Sequence, residues 1–307
     1  MPNKEFPQNA LDVSVVIPAF GEEAVIGLAV QRIHHVMTNL KIQYEILVVD
    51  DGSMDATAQF ARDSGAKVIS HPYNMGNGAA VKTGIRHARG KALVFMDGDG
   101  QHSPENIPLL LQGLNKYDMV VGARNKETDA SAHRNFANFM YNSLASYMCG
   151  RKIPDLTSGF RAIRARVARE FVGLLPNTFS YPTTITLAVV RSGYSLNYVP
   201  IKVLSRKGKS KIKLLQDGVR FLIIIFKIST LYSPLKIFIP ASVLMFLLGF
   251  GYGLFKVVFL GERYGPTSAM LMTVAGVVFL IGLVSEQITQ LHYERRITSD
   301  DPSIGES

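Results

Sequence analysis

Residues 1–125 alternate between short apolar runs and helical patterns, and this alternation constrains the fold more than any other feature of the chain. Helical spacing of apolar residues predicts helices between the runs. Alternation of this kind implies a parallel sheet whose crossovers are right-handed. We therefore predict an α/β fold with a Rossmann-like, mainly parallel sheet. The predicted strands are 13–18, 44–49, 67–69, 93–96 and 118–124, and the predicted helices between the first four are 24–40, 55–63 and 79–88.

An acidic pair follows the fourth predicted strand. Asp97 and Asp99 stand one residue apart, with a glycine on either side of Asp99. Alternate residues of an extended segment point to the same side, so the two carboxylates can converge on one cation. Hard oxygen ligands suit Mg²⁺ or Mn²⁺, which take one or two carboxylates together with phosphate oxygens. Taken alone, the pair is equally typical of an acidic turn.

Further acidic residues fall at the same predicted edge of the sheet. Ligands of parallel sheets lie beyond the carboxyl ends of the strands, and Glu22, Asp50 and Asp51 follow the first two strands there. Carboxylates crowded together repel one another unless a cation and its ligand lie between them. The pattern predicts a metal and nucleotide site. A glycine-rich loop over 71–78 lacks the Gly-Lys-Ser/Thr of a P-loop, which argues against that class.

Two apolar runs near the C-terminus, 237–255 and 266–285, contain no Asp, Glu, Lys or Arg. Each is long enough to span the hydrocarbon core of a membrane. Basic residues crowd before the first run and after the second, so the positive-inside rule places the α/β domain and both termini in the cytoplasm. The pattern over 211–232 combines a polar stripe with an apolar face, which is typical of a helix in the interface plane. We predict an integral protein of the cytoplasmic (inner) membrane.

These patterns divide the chain into four parts. They are an α/β catalytic domain over 1–205, a basic loop with an amphipathic juxtamembrane helix over 206–234, a two-helix transmembrane hairpin over 235–296 and a flexible tail over 297–307. The formal net charge is +9. Because the basic residues cluster beside the apolar runs, anionic lipid accounts for them and nucleic acid is not an expected partner.

Several motifs resemble the inverting family 2 glycosyltransferases of the GT-A fold. Within that family the chain is similar to the polyprenyl-phosphate glycosyltransferases, which include dolichol-phosphate mannose synthase and the bacterial undecaprenyl-phosphate sugar transferases. The paired C-terminal runs fit the bacterial type. The stretches that carry the resemblance are 15–23, 48–53, 74–84, 97–102, 121–124, 155–161 and 206–211.

The resemblance implies transfer of a sugar, with inversion, from a nucleotide-sugar to a polyprenyl phosphate at the cytoplasmic membrane face. It favours UDP over GDP as the nucleotide and requires Mg²⁺ or Mn²⁺. It assigns nucleotide binding to Pro18, Phe20, Glu22, Asp50, Asp51 and Gly78, and metal binding to Asp97, Asp99 and Gln101. It assigns the acceptor phosphate to Arg124, Arg134, Arg206, Ser210 and Lys211, and catalysis to Asp97, Asp99, Arg124 and Arg206.

The sequence departs from the family pattern at two places. Thr183 and Thr184 stand where many relatives have an acidic residue, and Asn197 with Tyr198 stands where a Glu often precedes the following strand. Both departures bear on sugar choice or on packing. The sugar, the nucleotide and the choice between an undecaprenyl and a dolichyl acceptor stay open. A homo-oligomer assembled through the membrane spans is compatible with the resemblance.

Two other functions are weighed against this one. A processive polysaccharide synthase shares the Asp-x-Asp core, but such enzymes carry a Gln-x-x-Arg-Trp stretch and more spans, and this chain contains no Trp. A catalytically silent, membrane-tethered protein that binds nucleotide-sugars is the other alternative. The intact Asp97, Asp99, Gln101 and Arg124 argue against it.

Overall fold

The structure is a computed structural model, and it describes residues 11–124, 132–178, 180–201, 223, 226, 230 and 234–300. Side chains are described for all of these except 132–138 and 290–300. The chain forms two compact units, Met1–Ile224 and Ile225–Ser307.

The first unit is built on a seven-stranded sheet. Its strands are β1 (Val13–Ala19), β2 (Tyr44–Asp50), β3 (Lys67–Ser70), β4 (Ala92–Phe95), β5 (Met119–Arg124), β6 (Arg161–Arg164) and β7 (Leu196–Ile201). They lie in the order β3-β2-β1-β4-β6-β5-β7. Neighbouring strands run parallel except at β6, which is antiparallel to both β4 and β5. The predicted α/β fold with a mainly parallel sheet is confirmed.

The sequence analysis did not predict the strand β6. The stretch over 155–161 ends in this strand, whose four residues lie between β4 and β5. Ala162 lies opposite Val94 on one side and Val120 on the other. A four-residue strand with an arginine at each end carries too little alternation to be recognised, so the two neighbouring strands specify it. Because β6 is antiparallel, the residues just before Arg161 lie at the carboxyl ends of β4 and β5.

Seven α-helices flank the sheet in the described part of the first unit. They are α1 (Ile26–Asn39), α2 (Thr57–Asp63), α3 (Asn77–His87), α4 (Ile107–Gly113), α5 (Ala132–Cys149), α6 (Ala165–Phe171) and α7 (Tyr181–Arg191). In α1, Ile26, Val30, Ile33 and Met37 recur at helical spacing, and all four are fully buried in the core. A Cβ at Gly84 would lie 2.3 Å from a methyl group of Val16, so this glycine lets α3 approach β1 closely.

The second unit contains α8 (Leu235–Leu260) and α9 (Pro266–Asp300). By length and composition, Leu235–Leu260 and Pro266–Thr289 are each long and apolar enough to cross a membrane. Small residues lie where the two helices touch: Gly249 faces Leu271, and Gly282 faces Phe238. Small residues allow two helices to approach closely. Such packing stabilises helix pairs in lipid, where the hydrophobic effect does not drive helices together. The helix α9 extends to Asp300, so residues 297–300 of the predicted tail are helical.

Several predicted features lie outside the described residues. Arg206, Ser210 and Lys211 are among them, as is the side chain of Arg134. Of the predicted juxtamembrane helix, the described residues are 223, 226 and 230, and all three are helical.

Candidate active site

The acidic pair lies just beyond the carboxyl end of β4. This strand is the neighbour of β1, and the order of the strands reverses between the two. A reversal of this kind opens a crevice in which α/β proteins bind their ligands. The backbone N–H of Gln101 donates to Oδ1 of Asp99 at 3.1 Å, which closes a tight turn. Gly100 within that turn takes φ 71, a conformation that favours glycine.

Asp97 lies against a backbone that leaves it no spare room. A Cβ built on Gly159 would lie 2.6 Å from Oδ2 of Asp97, so only a glycine admits the carboxylate at this distance. His102 lies on another side, with Nδ1 3.8 Å from Oδ2 of Asp97. The His102 ring is buried and stacks on Phe160, with the ring centroids 5.2 Å apart. About a third of the Asp97 side chain stays exposed, at 32%.

The pKa of Asp97 is raised in the folded protein. Burial is the largest cause and the charge of Asp99 adds to it, whereas the charges of His102, Arg161 and Arg124 act in the opposite direction. Among the described residues no group of three or more His, Cys, Asp or Glu side chains could hold a metal ion. The protein therefore offers two carboxylates, and Mg²⁺ commonly takes this number together with phosphate oxygens and water. Nδ1 of His102 is buried and has no hydrogen-bond partner in the described part of the chain. The residues fit a divalent cation held jointly with a phosphate ligand.

Four of the six residues predicted to bind the nucleotide lie together at one edge of the sheet. Pro18 lies near the carboxyl end of β1, and Phe20 and Glu22 follow it, beside the acidic pair's strand. Phe20 is 40% exposed. Asp50 ends β2 and accepts the N–H of Ser53 at 3.1 Å. The structure therefore brings these four residues to one edge of the sheet.

Asp51 and its partners form a buried hydrogen-bonded loop. Its carboxylate lies 2.7 Å from Nδ1 of His71 and accepts the N–H groups of Met75 at 2.9 Å and Gly76 at 2.8 Å. Nε2 of His71 is in turn 2.9 Å from Oγ1 of Thr83. Since Asp51 is only 3% exposed, its main contacts are with the protein. It shapes the loop beside the predicted nucleotide site.

Gly78 is enclosed by the protein at the start of α3. Its N–H donates to the carbonyl of Thr178 at 3.0 Å, and the N–H of Ala79 donates to the carbonyl of Asn177 at 2.7 Å. A Cβ at this position would lie 2.0 Å from the carbonyl oxygen of Pro176. The loop over 176–178 packs so closely against Gly78 that no larger residue fits there. The N–H that a phosphate would use is already bonded, so the predicted nucleotide role of Gly78 finds no support in its contacts.

Arg124 ends β5 and is held by Asp155. Nε and Nη2 of Arg124 each donate to an Asp155 carboxylate oxygen at 2.8 Å, and Nη2 also donates to Thr157 at 2.5 Å. Burial alone would raise the pKa of Asp155, but the hydrogen bonds and charge of Arg124 outweigh it, and the pKa is lowered. The side chain of Arg124 stays 42% exposed. The sequence analysis predicted Arg124 as a phosphate ligand but gave no sign of this partner.

A pocket that is partly open to solvent lies beside Asp97. Its wall comes from the loop before β6 and the first turn of α7. The lining residues are Asn77, Asp97, Thr157, Gly159, Ser180, Tyr181, Pro182 and Thr183. The sequence analysis placed none of the residues of α7 in a site. The one available signal was the pair of threonines that replaces an acidic residue of the family.

A buried arginine braces one wall of this pocket. Arg161 is fully buried. Its Nη1 donates to the carbonyl of Pro182 at 3.1 Å and to Thr186 at 3.0 Å, and its Nη2 donates to the carbonyl of Ser158. Burial lowers the pKa of Arg161. The planar guanidinium can reach several acceptors at once, and it ties the loop next to Asp97 to the start of α7.

Comparison with known proteins identifies the class. The chain belongs to glycosyl transferase family 2, whose model matches residues 14–172. A second model, the GtrB C-terminal hairpin, matches residues 233–291. The expected family and the GT-A fold are therefore confirmed, and the protein is a glycosyltransferase with a C-terminal hairpin whose two helices are candidate membrane spans.

The chain is similar to several proteins with assigned names. The chain is 27% identical to undecaprenyl-phosphate 4-deoxy-4-formamido-L-arabinose transferase of Klebsiella pneumoniae, over 92% of this chain and 90% of that protein. It is 31% identical to dodecaprenyl-phosphate galacturonate synthase of Rhizobium johnstonii, over 53% of this chain and 51% of that protein. Among solved structures, the fold matches glucosyl-3-phosphoglycerate synthase of Mycobacterium tuberculosis in complex with Mn²⁺ and UDP. That match has a TM-score of 0.58 at 20% identity and covers 71% of this chain and 78% of that one.

Proposed function

We propose that this protein transfers a sugar, with inversion, from a nucleotide-sugar to the phosphate of a polyprenyl phosphate at the cytoplasmic membrane face. UDP is the favoured nucleotide and undecaprenyl phosphate the favoured acceptor. The observation that carries the proposal is the Asp97–Asp99 pair at the crevice of the sheet, in a chain whose C-terminal part matches the GtrB C-terminal hairpin and contains two candidate membrane spans. The names of two relatives, both polyprenyl-phosphate enzymes, support it.

The donor side of the proposal uses the acidic pair. Asp97 and Asp99, with Gln101, would hold Mg²⁺ or Mn²⁺ against the diphosphate of the donor. The bound ion would act as a Lewis acid for the charge that develops on the leaving nucleoside diphosphate. Gly159 gives Asp97 the room that its position needs, and the turn at Gly100 fixes Asp99.

The acceptor side needs no dedicated general base. A lipid monophosphate has a second pKa of about 6, so it is mostly dianionic at neutral pH and already nucleophilic. The remaining task is to hold two anions near each other. Arg124 would offset their repulsion, because a guanidinium binds phosphate oxygens in pairs. Asp155 orients Arg124 for this task. Arg134, Arg206, Ser210 and Lys211 complete the proposed acceptor site.

The proposal extends to the placement of the chain. We infer that the hairpin over 235–296 crosses the bilayer, that the catalytic domain over 1–205 and both termini are cytoplasmic, and that the basic segment over 206–234 lies on the membrane surface. Membrane fractionation tests the first point. Labelling of single cysteines introduced at Tyr264, in the hairpin turn, and at Asp63, on the catalytic domain, tests the second. Only the former should react with an impermeant thiol reagent in intact cells.

The test of activity uses the purified full chain in detergent with undecaprenyl phosphate and Mn²⁺ or Mg²⁺. Radiolabelled UDP- and GDP-sugars are supplied one at a time, and label is counted in the organic phase. We expect one donor to label the lipid, and we expect EDTA or Asp99→Ala to abolish the signal. Asp63→Ala, which removes an exposed carboxylate of α2, is the matched control and should keep full activity.

Two results would overturn the proposal. Nucleotide-sugar binding in calorimetry, with no labelled lipid from any donor, would indicate a silent binding protein. Label in a water-soluble polymer would instead indicate a processive synthase.

A further inference from the structure

We infer that Ser180 and Thr183 form hydrogen bonds to the donor sugar, and that the pocket they line accepts an uncharged sugar. The inference rests on the proposed function and deepens it, because it names the class of sugar. Asp97 both lines this pocket and belongs to the proposed metal pair. A donor whose diphosphate is held at Asp97 would therefore place its sugar in the pocket.

The first observation concerns the five hydroxyl groups of residues 180–186. Thr184 donates to the carbonyl of Ser180 at 3.4 Å, and Thr186 donates to the carbonyl of Pro182 at 2.7 Å. Ser180 and Thr183 are 4% and 0% exposed, and their hydroxyls have no hydrogen-bond partner in the described part of the chain. Three of these hydroxyls, those of Ser180, Tyr181 and Thr183, belong to residues that line the pocket. The Tyr181 hydroxyl donates to the carbonyl of Gly159 at 3.1 Å, so the two without a partner are those of Ser180 and Thr183. A buried hydroxyl without a hydrogen bond costs desolvation free energy. A ligand whose polar groups bond to these hydroxyls would remove that cost.

The second observation is backbone strain at Ser180. Its φ is 90° and its ψ is 21°, a left-handed conformation in which glycine is favoured. Among the described residues other than glycine, only Lys41 shares a positive φ. Strain of this kind persists where the surroundings impose it, and it concentrates at functional sites. A serine at this position places a hydroxyl at the pocket although glycine would relieve the backbone strain.

The third observation is the charge of the pocket wall. Among the described lining residues, Asp97 is the one that carries a charge at neutral pH. Two arginines act on Asp97, and both donate to protein acceptors. Arg161 donates to Pro182, Thr186 and Ser158, and Arg124 donates to Asp155 and Thr157. A carboxylate on the sugar would find no protein cation in the described wall, whose one charged side chain, Asp97, is itself negative and is the proposed metal ligand. Hydroxyl or amide groups would instead match Ser180 and Thr183, so an uncharged hexose or amide-bearing sugar fits best.

The experiment measures kcat/KM for lipid labelling with the full chain and a panel of UDP- and GDP-sugars that includes a nucleotide uronate. Thr183→Val keeps the shape and removes the hydroxyl; no hydrogen bond is lost, so the unfolding temperature should hold or rise. We expect kcat/KM for the accepted donor to fall about tenfold or more. Thr183→Ser keeps the hydroxyl and should retain most of the activity.

A second variant separates function from stability. Ser180→Gly removes a hydroxyl and relieves the strained backbone, so it should raise the unfolding temperature while kcat/KM falls about tenfold. Lys41→Gly is the matched control, because it relieves the same kind of strain at an exposed position outside the pocket. It should raise the unfolding temperature and leave kcat/KM unchanged.

The outcomes distinguish this inference from the proposed function. Lipid labelling that Thr183→Val and Ser180→Gly leave within twofold, or labelling from the uronate donor alone, would overturn the inference and leave the function standing. Absence of labelling from every donor would overturn the function. In that event calorimetry with the same donors decides the inference: weaker binding by Thr183→Val supports it, and equal binding by wild type and variant overturns it.

Discussion

Gly159→Ala should disable the enzyme with only a moderate effect on its stability. The added Cβ would lie 2.6 Å from Oδ2 of Asp97 and 3.1 Å from Oδ1. Gly159 does not have a positive φ, so an alanine there meets no backbone strain. The whole effect of the substitution therefore falls on the carboxylate of Asp97.

The size of the effect follows from these distances. Ordinary van der Waals contact begins at 3.4 Å, so Oδ2 of Asp97 must move by about 0.8 Å. Overpacking a filled site typically costs about 1–3 kcal/mol of unfolding free energy. A catalytic group misplaced by about 1 Å costs about 100-fold in rate. We expect kcat to fall about 100-fold and the half-saturating Mn²⁺ concentration to rise.

The assay is lipid labelling at saturating donor over a range of Mn²⁺ concentrations, with thermal unfolding of the same preparations. Gly173→Ala is the matched control. A Cβ at Gly173 would meet nothing within 4 Å, and its φ is not positive. This variant should retain the activity and the Mn²⁺ dependence of the wild type.

A Gly159→Ala enzyme with unchanged kcat and unchanged Mn²⁺ dependence would refute the reasoning. It would mean that the position of the Asp97 carboxylate does not matter for metal binding or transfer. Activity that is lost in proportion to the unfolded fraction would refute it too, since the loss would then come from stability alone.

Two further predictions concern the Arg124–Asp155 ion pair and the C-terminal hairpin. Asp155→Asn breaks the bidentate bond to Arg124 and should lower the unfolding free energy at pH 7 by about 1–2 kcal/mol. Because the pKa of Asp155 is lowered in the folded state, this difference should shrink as the pH falls below about 4 and vanish only below that lowered pKa, which urea unfolding at a series of pH values from 7 downwards checks. Gly282→Leu places a Cβ 2.5 Å from the Cβ of Phe238 and should destabilise the hairpin by about 1–3 kcal/mol, whereas Gly276→Leu, with nothing within 4 Å of its built Cβ, should be neutral in thermal unfolding in detergent.

The sequence predicted the parts of the molecule that repeat a local pattern. Strands β1 to β5 are apolar runs, and α1 repeats its buried residues with helical spacing, so periodicity was enough to place them. The position of Asp97 and Asp99 was also predictable, because a strand fixes the direction of the residues that follow it and a parallel sheet collects strand ends at one edge.

The missed features depend on contacts between distant segments. β6 exists because β4 and β5 lie on either side of it. Asp155 holds Arg124 across 31 positions of sequence. The left-handed backbone of Ser180 runs against the preference of a serine, so local propensity would predict a different conformation. Sequence patterns report local geometry, and these three features are set by tertiary structure.

The reversed strand β6 has a consequence for how the two substrates communicate. Because it runs backwards, the segment over 155–160 lies at the carboxyl ends of both β4 and β5. Asp155, at one end of this segment, holds Arg124, and Gly159, near the other, abuts Asp97. Three residues of backbone therefore separate the residue that holds Arg124, the proposed acceptor ligand, from the residue that abuts Asp97, the proposed metal ligand. A displacement of this segment on binding one substrate would also displace the group proposed to meet the other.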